Sequence, residues 1–124
     1  MNNKFYVSLE TARLLKEKGY DEECTTLYDC VFEEIIPAIS VGLYGNGCIK
    51  NDYYCSCPTK VEAIDWLENK GIVIEVFCAR IGENRKWCYS IINTKTDITI
   101  ETPYKFLTRL EAEEVAIIKA LELL

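Results

Sequence analysis

Ile72-Val73-Ile74-Glu75-Val76-Phe77-Cys78-Ala79 is the stretch from which the fold can be read. Ile72, Ile74, Val76 and Cys78 fall on one side of an extended chain, and Val73, Glu75, Phe77 and Ala79 fall on the other. That two-residue period is the signature of a β-strand. Gly82-Glu83-Asn84-Arg85 supplies a turn, after which Trp87, Tyr89 and Ile91 mark one side of a returning strand. Asn93 to Thr96 reads as a second turn, and Asp97-Ile98-Thr99-Ile100-Glu101 alternates as a third strand. Strands joined by turns this short pair antiparallel with their sequence neighbours.

Helices bracket this meander. Thr59-Lys60-Val61-Glu62 is a capping box, in which hydroxyl and carboxylate each satisfy a free backbone amide. Ala63, Ile64 and Leu67 form the buried stripe of that helix, Trp66 lies at its edge, and Gly71 closes it. Thr108-Arg109-Leu110-Glu111 repeats the capping box. The last helix then carries Leu110, Ala112, Val115, Ala116, Ile117, Ala120, Leu121, Leu123 and Leu124, an apolar arc wider than a sheet contact needs. Such a helix is expected to sit between two layers of its own domain, with a subunit contact as the alternative. Glu113 falls inside the arc and is expected to reach water from the first turn.

Toward the N-terminus, Ser8 suits an N-cap, Leu9, Ala12, Leu14 and Leu15 face one way, and Gly19 ends the helix. Cys24 to about Phe32 reads as a strand. Ile35 to Val41 is a weaker second candidate that Pro37, lacking an amide donor, confines to an edge. Gly42, Gly45 and Gly47 open a loop reaching to Pro58; a loop of that length is functional or mobile. The expected fold is a single domain over residues 1–124, of class α+β. It has a mainly antiparallel sheet of four to five strands and three helices in the order α-β(β)-α-β-β-β-α, with the helices mostly on one face.

Composition narrows the chemistry. The 124 residues contain no histidine, which excludes every Ser-His and Cys-His nucleophile and removes the commonest general base. A formal charge of −6 disfavours nucleic acid as a partner, because phosphate binding needs clustered Lys and Arg. No apolar run reaches the roughly 18 residues of a membrane span, and Met1-Asn2-Asn3-Lys4-Phe5 lacks a secretory core, so a cytoplasmic location is expected. Seven cysteines, an odd number, in that compartment argue against a disulfide framework.

Four segments resemble a group of small proteins of gut Bacteroidetes and their phages that has no assigned activity. They are Phe5-Tyr6-Val7-Ser8-Leu9-Glu10-Thr11-Ala12 running into Lys16-Glu17-Lys18-Gly19-Tyr20, and Pro58-Thr59 running into Asp65-Trp66-Leu67-Glu68. The other two are the Trp87-Cys88-Tyr89 strand and the helix starting at Thr108. The resemblance implies a phage or mobile-element origin and carries no site residues; the segment from Val41 to Cys57 lies outside it.

Three constellations could carry chemistry. If the chain binds zinc, Cys48, Cys55 and Cys57 are the ligands, yet no Cys-x-x-Cys pair occurs and Cys55-Ser56-Cys57 is tight for a chelating knuckle. The plainer reading makes the cysteines small buried hydrophobes, and no cofactor is expected. Tyr44, Tyr53 and Tyr54 form a candidate recognition surface, weighed against tyrosines that merely edge a small core. The acidic clusters read as solvated surface, and Gly45-Asn46-Gly47 matches no phosphate-binding loop. The chain is therefore expected to be no enzyme but a non-catalytic, protein-binding accessory factor of a phage or mobile element. The alternative is a homo-oligomeric assembly protein, such as a homodimer, built on the C-terminal helix.

Overall fold

A computed structural model of the chain describes residues 3–124. Its elements run α1 (Leu9–Glu17), β1 (Thr26–Asp29), β2 (Glu34–Pro37), β3 (Tyr54–Ser56), α2 (Lys60–Asn69), β4 (Ile72–Ile81), β5 (Asn84–Asn93), β6 (Ile98–Glu101) and α3 (Arg109–Glu122). The class is α+β with three helices, as expected. The strands number six rather than four to five, and they form two three-stranded antiparallel sheets, β2-β1-β3 and β4-β5-β6, instead of one. The backbone clusters into two units, Met1–Thr59 and Lys60–Leu124, each holding one sheet.

In the second unit the meander is as the sequence implies. Ile72 pairs with Asn93 and Ile81 with Asn84, so β4 and β5 form one long hairpin closed by Gly82-Glu83, with Gly82 at φ +65° in the first turn position. Ile72, Ile74, Tyr89 and Ile91 are buried beneath α2 and α3, and both helices pack on β4. Trp66 belongs to this core rather than to its edge, with Ala63 and Leu67. α3 touches α2, β4 and β5 together, which accounts for most of its wide arc: Ala112, Ala116, Ile117, Ala120 and Leu121 are fully buried. Glu113 does not reach water. It lies past the first turn, 3% exposed, and the Nε of Arg109 one turn earlier meets its carboxylate at 3.2 Å.

The first unit departs further from expectation. α1 starts where Ser8 accepts from the Thr11 amide at 3.2 Å, and Gly19 leaves it at φ +93°. The stretch from Cys24 to Phe32 is not one strand, because the chain turns at Cys30–Glu33 and returns as β2. The Asp29 carboxylate accepts from the amides of Val31 and Phe32 at 3.0 and 3.1 Å, and Glu33 closes the turn at φ +58°. The second unit uses the same device between β5 and β6, where Asn93 accepts from Lys95 and Asp97 has φ +59°. Polar Thr94-Lys95-Thr96 announces that turn in the sequence; apolar Cys30-Val31-Phe32 hides its counterpart. Pro37 does end an edge strand.

The long loop also contains structure. One short 3₁₀ turn, Ala38–Ser40, precedes it, another, Asn46–Cys48, interrupts it, and Tyr54–Ser56 adds to β1 as the third strand. Both faces of this small sheet are covered. Leu27, Ala38 and Ile49 pack with Ile36, Val41, Leu43 and Tyr54 on one side. On the other side the alternation puts Tyr28 and Cys55, where the Tyr28 hydroxyl donates to the Val7 carbonyl at 2.6 Å. No helix among the described residues is long and apolar enough to cross a membrane.

Candidate functional site

The residues singled out by sequence separate in space. Tyr53 is 61% exposed and Tyr44 45%, whereas Tyr54 is half-buried against the Leu27 cluster. The three tyrosines are therefore not one surface. Cys48 is exposed on its 3₁₀ turn, while Cys55 and Cys57 are buried two residues apart beside β1. No group of three or more Cys, Asp or Glu side chains gathers as a metal site among the described residues.

What the structure does assemble is the end of the first sheet where β1 meets its turn. The Cys30 amide donates to the Tyr53 carbonyl at 2.8 Å, extending the β1–β3 ladder one step past Asp29–Tyr54. Tyr53 therefore flanks the turn, and Val31 and Phe32 stand at its tip, 62% and 73% exposed. Their side chains are in water while their amides are fixed on Asp29, so the apolar tip is held in one backbone conformation. Composition alone conceals this tip, because Val-Phe inside a strand-like run suggests core. The one sequence signal is Asp29 two and three residues before the exposed pair.

Beside the tip, Arg13, Lys16, Glu17, Cys30, Asp52, Tyr54 and Cys55 line an open groove of about 450 Å³ between α1 and the sheet. Lys16 sits here because α1 presents residues 13, 16 and 17 on one side. Its ammonium donates to the carbonyls of Asn51 and Tyr54, the latter at 2.9 Å, which ties the groove's rim to α1. Arg13 reaches the Cys30 carbonyl at 3.4 Å. At the floor, the sulfurs of Cys30 and Cys55 are 3.6 Å apart. Burial pushes the Cys55 thiol up to about 12, and the charge and hydrogen bond of Cys30 add to that shift, against an opposing pull from Lys16.

A second, smaller hollow of about 250 Å³ lies on the second sheet, between Phe77, Cys88, Ser90, Glu101, Thr102 and Tyr104. A hydrogen bond with Cys88 raises the pKa of Tyr104 there. Glu17 of α1 and Asp52 of the loop before β3 line the first hollow, and Glu101 at the end of β6 lines the second. Compared with protein-family models, with characterised proteins and with solved structures, the chain gave no match in any of the three.

Proposed function

We propose that the protein is a non-catalytic, protein-binding accessory factor of a phage or mobile element, and that its contact is centred on Val31, Phe32 and Tyr53. The observation that carries this reading is the apolar tip: two large hydrophobic side chains more than half exposed on a turn in which the amides of both residues donate to Asp29. Exposed aromatics on a fixed backbone lose little conformational freedom on docking, which is the property of interface anchors. Ile39, at the other end of β2, is 77% exposed on a short 3₁₀ turn, and it serves as the comparator.

Photo-crosslinking from positions 32 and 53, in the cells that make the protein, should trap one common protein, and crosslinking from position 39 should not trap it. Phe32→Asp should abolish the crosslink from position 53 while leaving thermal unfolding unchanged. If positions 32 and 53 trap nothing beyond what position 39 traps, the reading is wrong. A second reading, homo-oligomeric assembly through α3, keeps one specific support: Val115 on that helix and Leu123 and Leu124 just past its end remain about 40% exposed. Sedimentation of a monomer at micromolar concentration would remove it.

A further inference from the structure

The two sulfurs on the groove floor have a use that the contact reading does not require. β1 and β3 pair with Tyr28 opposite Cys55, and the Cys30 amide carries the ladder on to Tyr53. Side chains two apart along a strand share a face, so Cys30 and Cys55 are diagonal neighbours on one face of the sheet. Their sulfurs stand 3.6 Å apart, against about 2.05 Å in a disulfide. Closing the difference takes a side-chain rotation together with a backbone shift at Cys30, which is the first residue of a turn rather than the middle of a strand. Both are free thiols.

Their exposures are unequal. Cys30 is partly open to the groove, while Cys55 is 1% exposed behind it. A molecule in solution can touch the first sulfur and not the second, yet the second can touch the first. We propose that Cys30 and Cys55 form a thiol–disulfide exchange pair, with Cys30 as the entry thiol for a small disulfide and Cys55 as the resolving thiol. The groove walls set the class of that disulfide. Arg13, Lys16 and Glu17 line the groove from α1, and Asp52 lines it from the loop before β3, so the lining carries both signs of charge. A disulfide bearing both amino and carboxylate groups, of the glutathione or cystine kind, complements such walls better than a purely anionic or purely apolar one.

The exchange balances without any further reagent. The Cys30 thiolate attacks one sulfur of the small disulfide; its S–S bond breaks, a mixed disulfide forms on Cys30, and the released thiolate takes a proton. Cys55 then attacks the Cys30 sulfur, and its proton passes to the departing small thiolate. The bond to the small thiol breaks, and a second small thiol leaves. Two protein thiols are oxidised to one disulfide while the small disulfide is reduced to two thiols. The second step is intramolecular between atoms already in contact, which works against the small thiolate fraction that burial leaves on Cys55.

The test uses the full chain with oxidised glutathione, followed by intact mass and peptide mapping. The wild type should lose two hydrogens and yield a peptide linking Cys30 to Cys55. Cys55→Ser should trap glutathione on Cys30, raising that adduct about tenfold over wild type, because the resolving step is gone. Cys30→Ser should leave Cys55 without an adduct, since nothing in solution reaches it. Mapping of the wild type needs no variant to fold. Adducts confined to the exposed Cys48 and Cys78, with no Cys30–Cys55 link, would overturn the assignment.

Discussion

Replacing Asn46 with alanine removes the polar latch of the first unit. The ladder bonds of β1 and β3 fall on Thr26–Cys57 and Cys30–Tyr53, so the alternation of an antiparallel pair turns the Ser56 amide away from β1. Asn46 meets it there: the Ser56 amide donates to Oδ1 at 2.8 Å, and Nδ2 donates to the Tyr20 carbonyl at 2.8 Å. The Asn46 amide in turn donates to the Ser56 hydroxyl at 2.9 Å. One side chain thus joins β3, the loop before it and the end of α1.

Alanine keeps only the last of these bonds. Each lost bond is worth about 1 kcal/mol net, and a stranded buried group costs a further 1 to 3 kcal/mol. Ser56 is fully buried, so its amide has no water to turn to, whereas Asn46 is only half-buried, and water entering the space its side chain leaves can serve the carbonyl of the 2% exposed Tyr20. A loss of about 3 kcal/mol follows, equivalent to a factor of about 10² in the opening equilibrium. Both tryptophans, Trp66 and Trp87, lie in the second unit, so their fluorescence would miss the event. Amide hydrogen exchange followed by mass spectrometry reads it directly: peptides spanning β1 and β3 should exchange about 10²-fold faster, and those of β5 should not change. Asn46→Asp should cost at least as much, since a carboxylate oxygen would face the Tyr20 carbonyl. If Asn46→Ala shifts β3 exchange less than about threefold, the latch contributes under about 0.7 kcal/mol and the reasoning fails.

Three further outcomes are expected. Cys55 has a folded pKa of about 12 against an ordinary 9.0, so its contribution to stability is complete below pH 9 and falls as pH rises from there toward 12. Urea unfolding of wild type minus Cys55→Ala should therefore drift by about 1.4 kcal/mol per pH unit above pH 9 and stay flat below it. Ile91→Ala, at a fully buried site under the helices, should lower stability by 2 to 5 kcal/mol, that is about 3.5 kcal/mol at the centre of the range, as read by tryptophan fluorescence in urea. Lys60→Met should cost about 2 kcal/mol in the same assay, because the buried Lys60 ammonium donates to the Leu110 carbonyl at 3.2 Å and lies 4.0 Å from the Glu114 carboxylate.

The second unit was legible because its contacts are local. Alternation from Ile72 to Ala79, the turn glycine Gly82 and the hydroxyl cap at Thr108, which accepts from the Glu111 amide at 3.1 Å, each carry their information within a few residues. The first unit was legible at α1 and at the edge strand that Pro37 ends, and little further. β3 is three residues long, and it pairs with β1 across more than twenty intervening residues, so no window of sequence contains both partners. The site inherits that difficulty. Cys30 and Cys55 become neighbours through the same non-local pairing, which is why grouping Cys48, Cys55 and Cys57 by proximity in sequence selected a different set. Tyr44, Tyr53 and Tyr54 were grouped the same way, yet Tyr53, just before β3, and Tyr54 point to opposite faces of the sheet, and only Tyr54 packs against the Leu27 cluster.

That geometry explains why the glycine and asparagine of the loop, which match no ligand-binding motif, still matter. Gly45 has φ +148°, and a Cβ there would stand 2.7 Å from the Glu22 carbonyl oxygen, so the backbone of the loop passes too close to the segment after α1 for any side chain. The close pass is what lets the Cys24 amide donate to the Tyr44 carbonyl at 2.7 Å and delivers Asn46 to Ser56. Asn46 then holds the outer edge of β3, and β3 holds Cys55 beneath Cys30 and Tyr53 beside the turn. The polar loop thus acts as the clamp that lets a three-residue strand exist at all, and both the apolar tip and the thiol pair depend on that strand being in register.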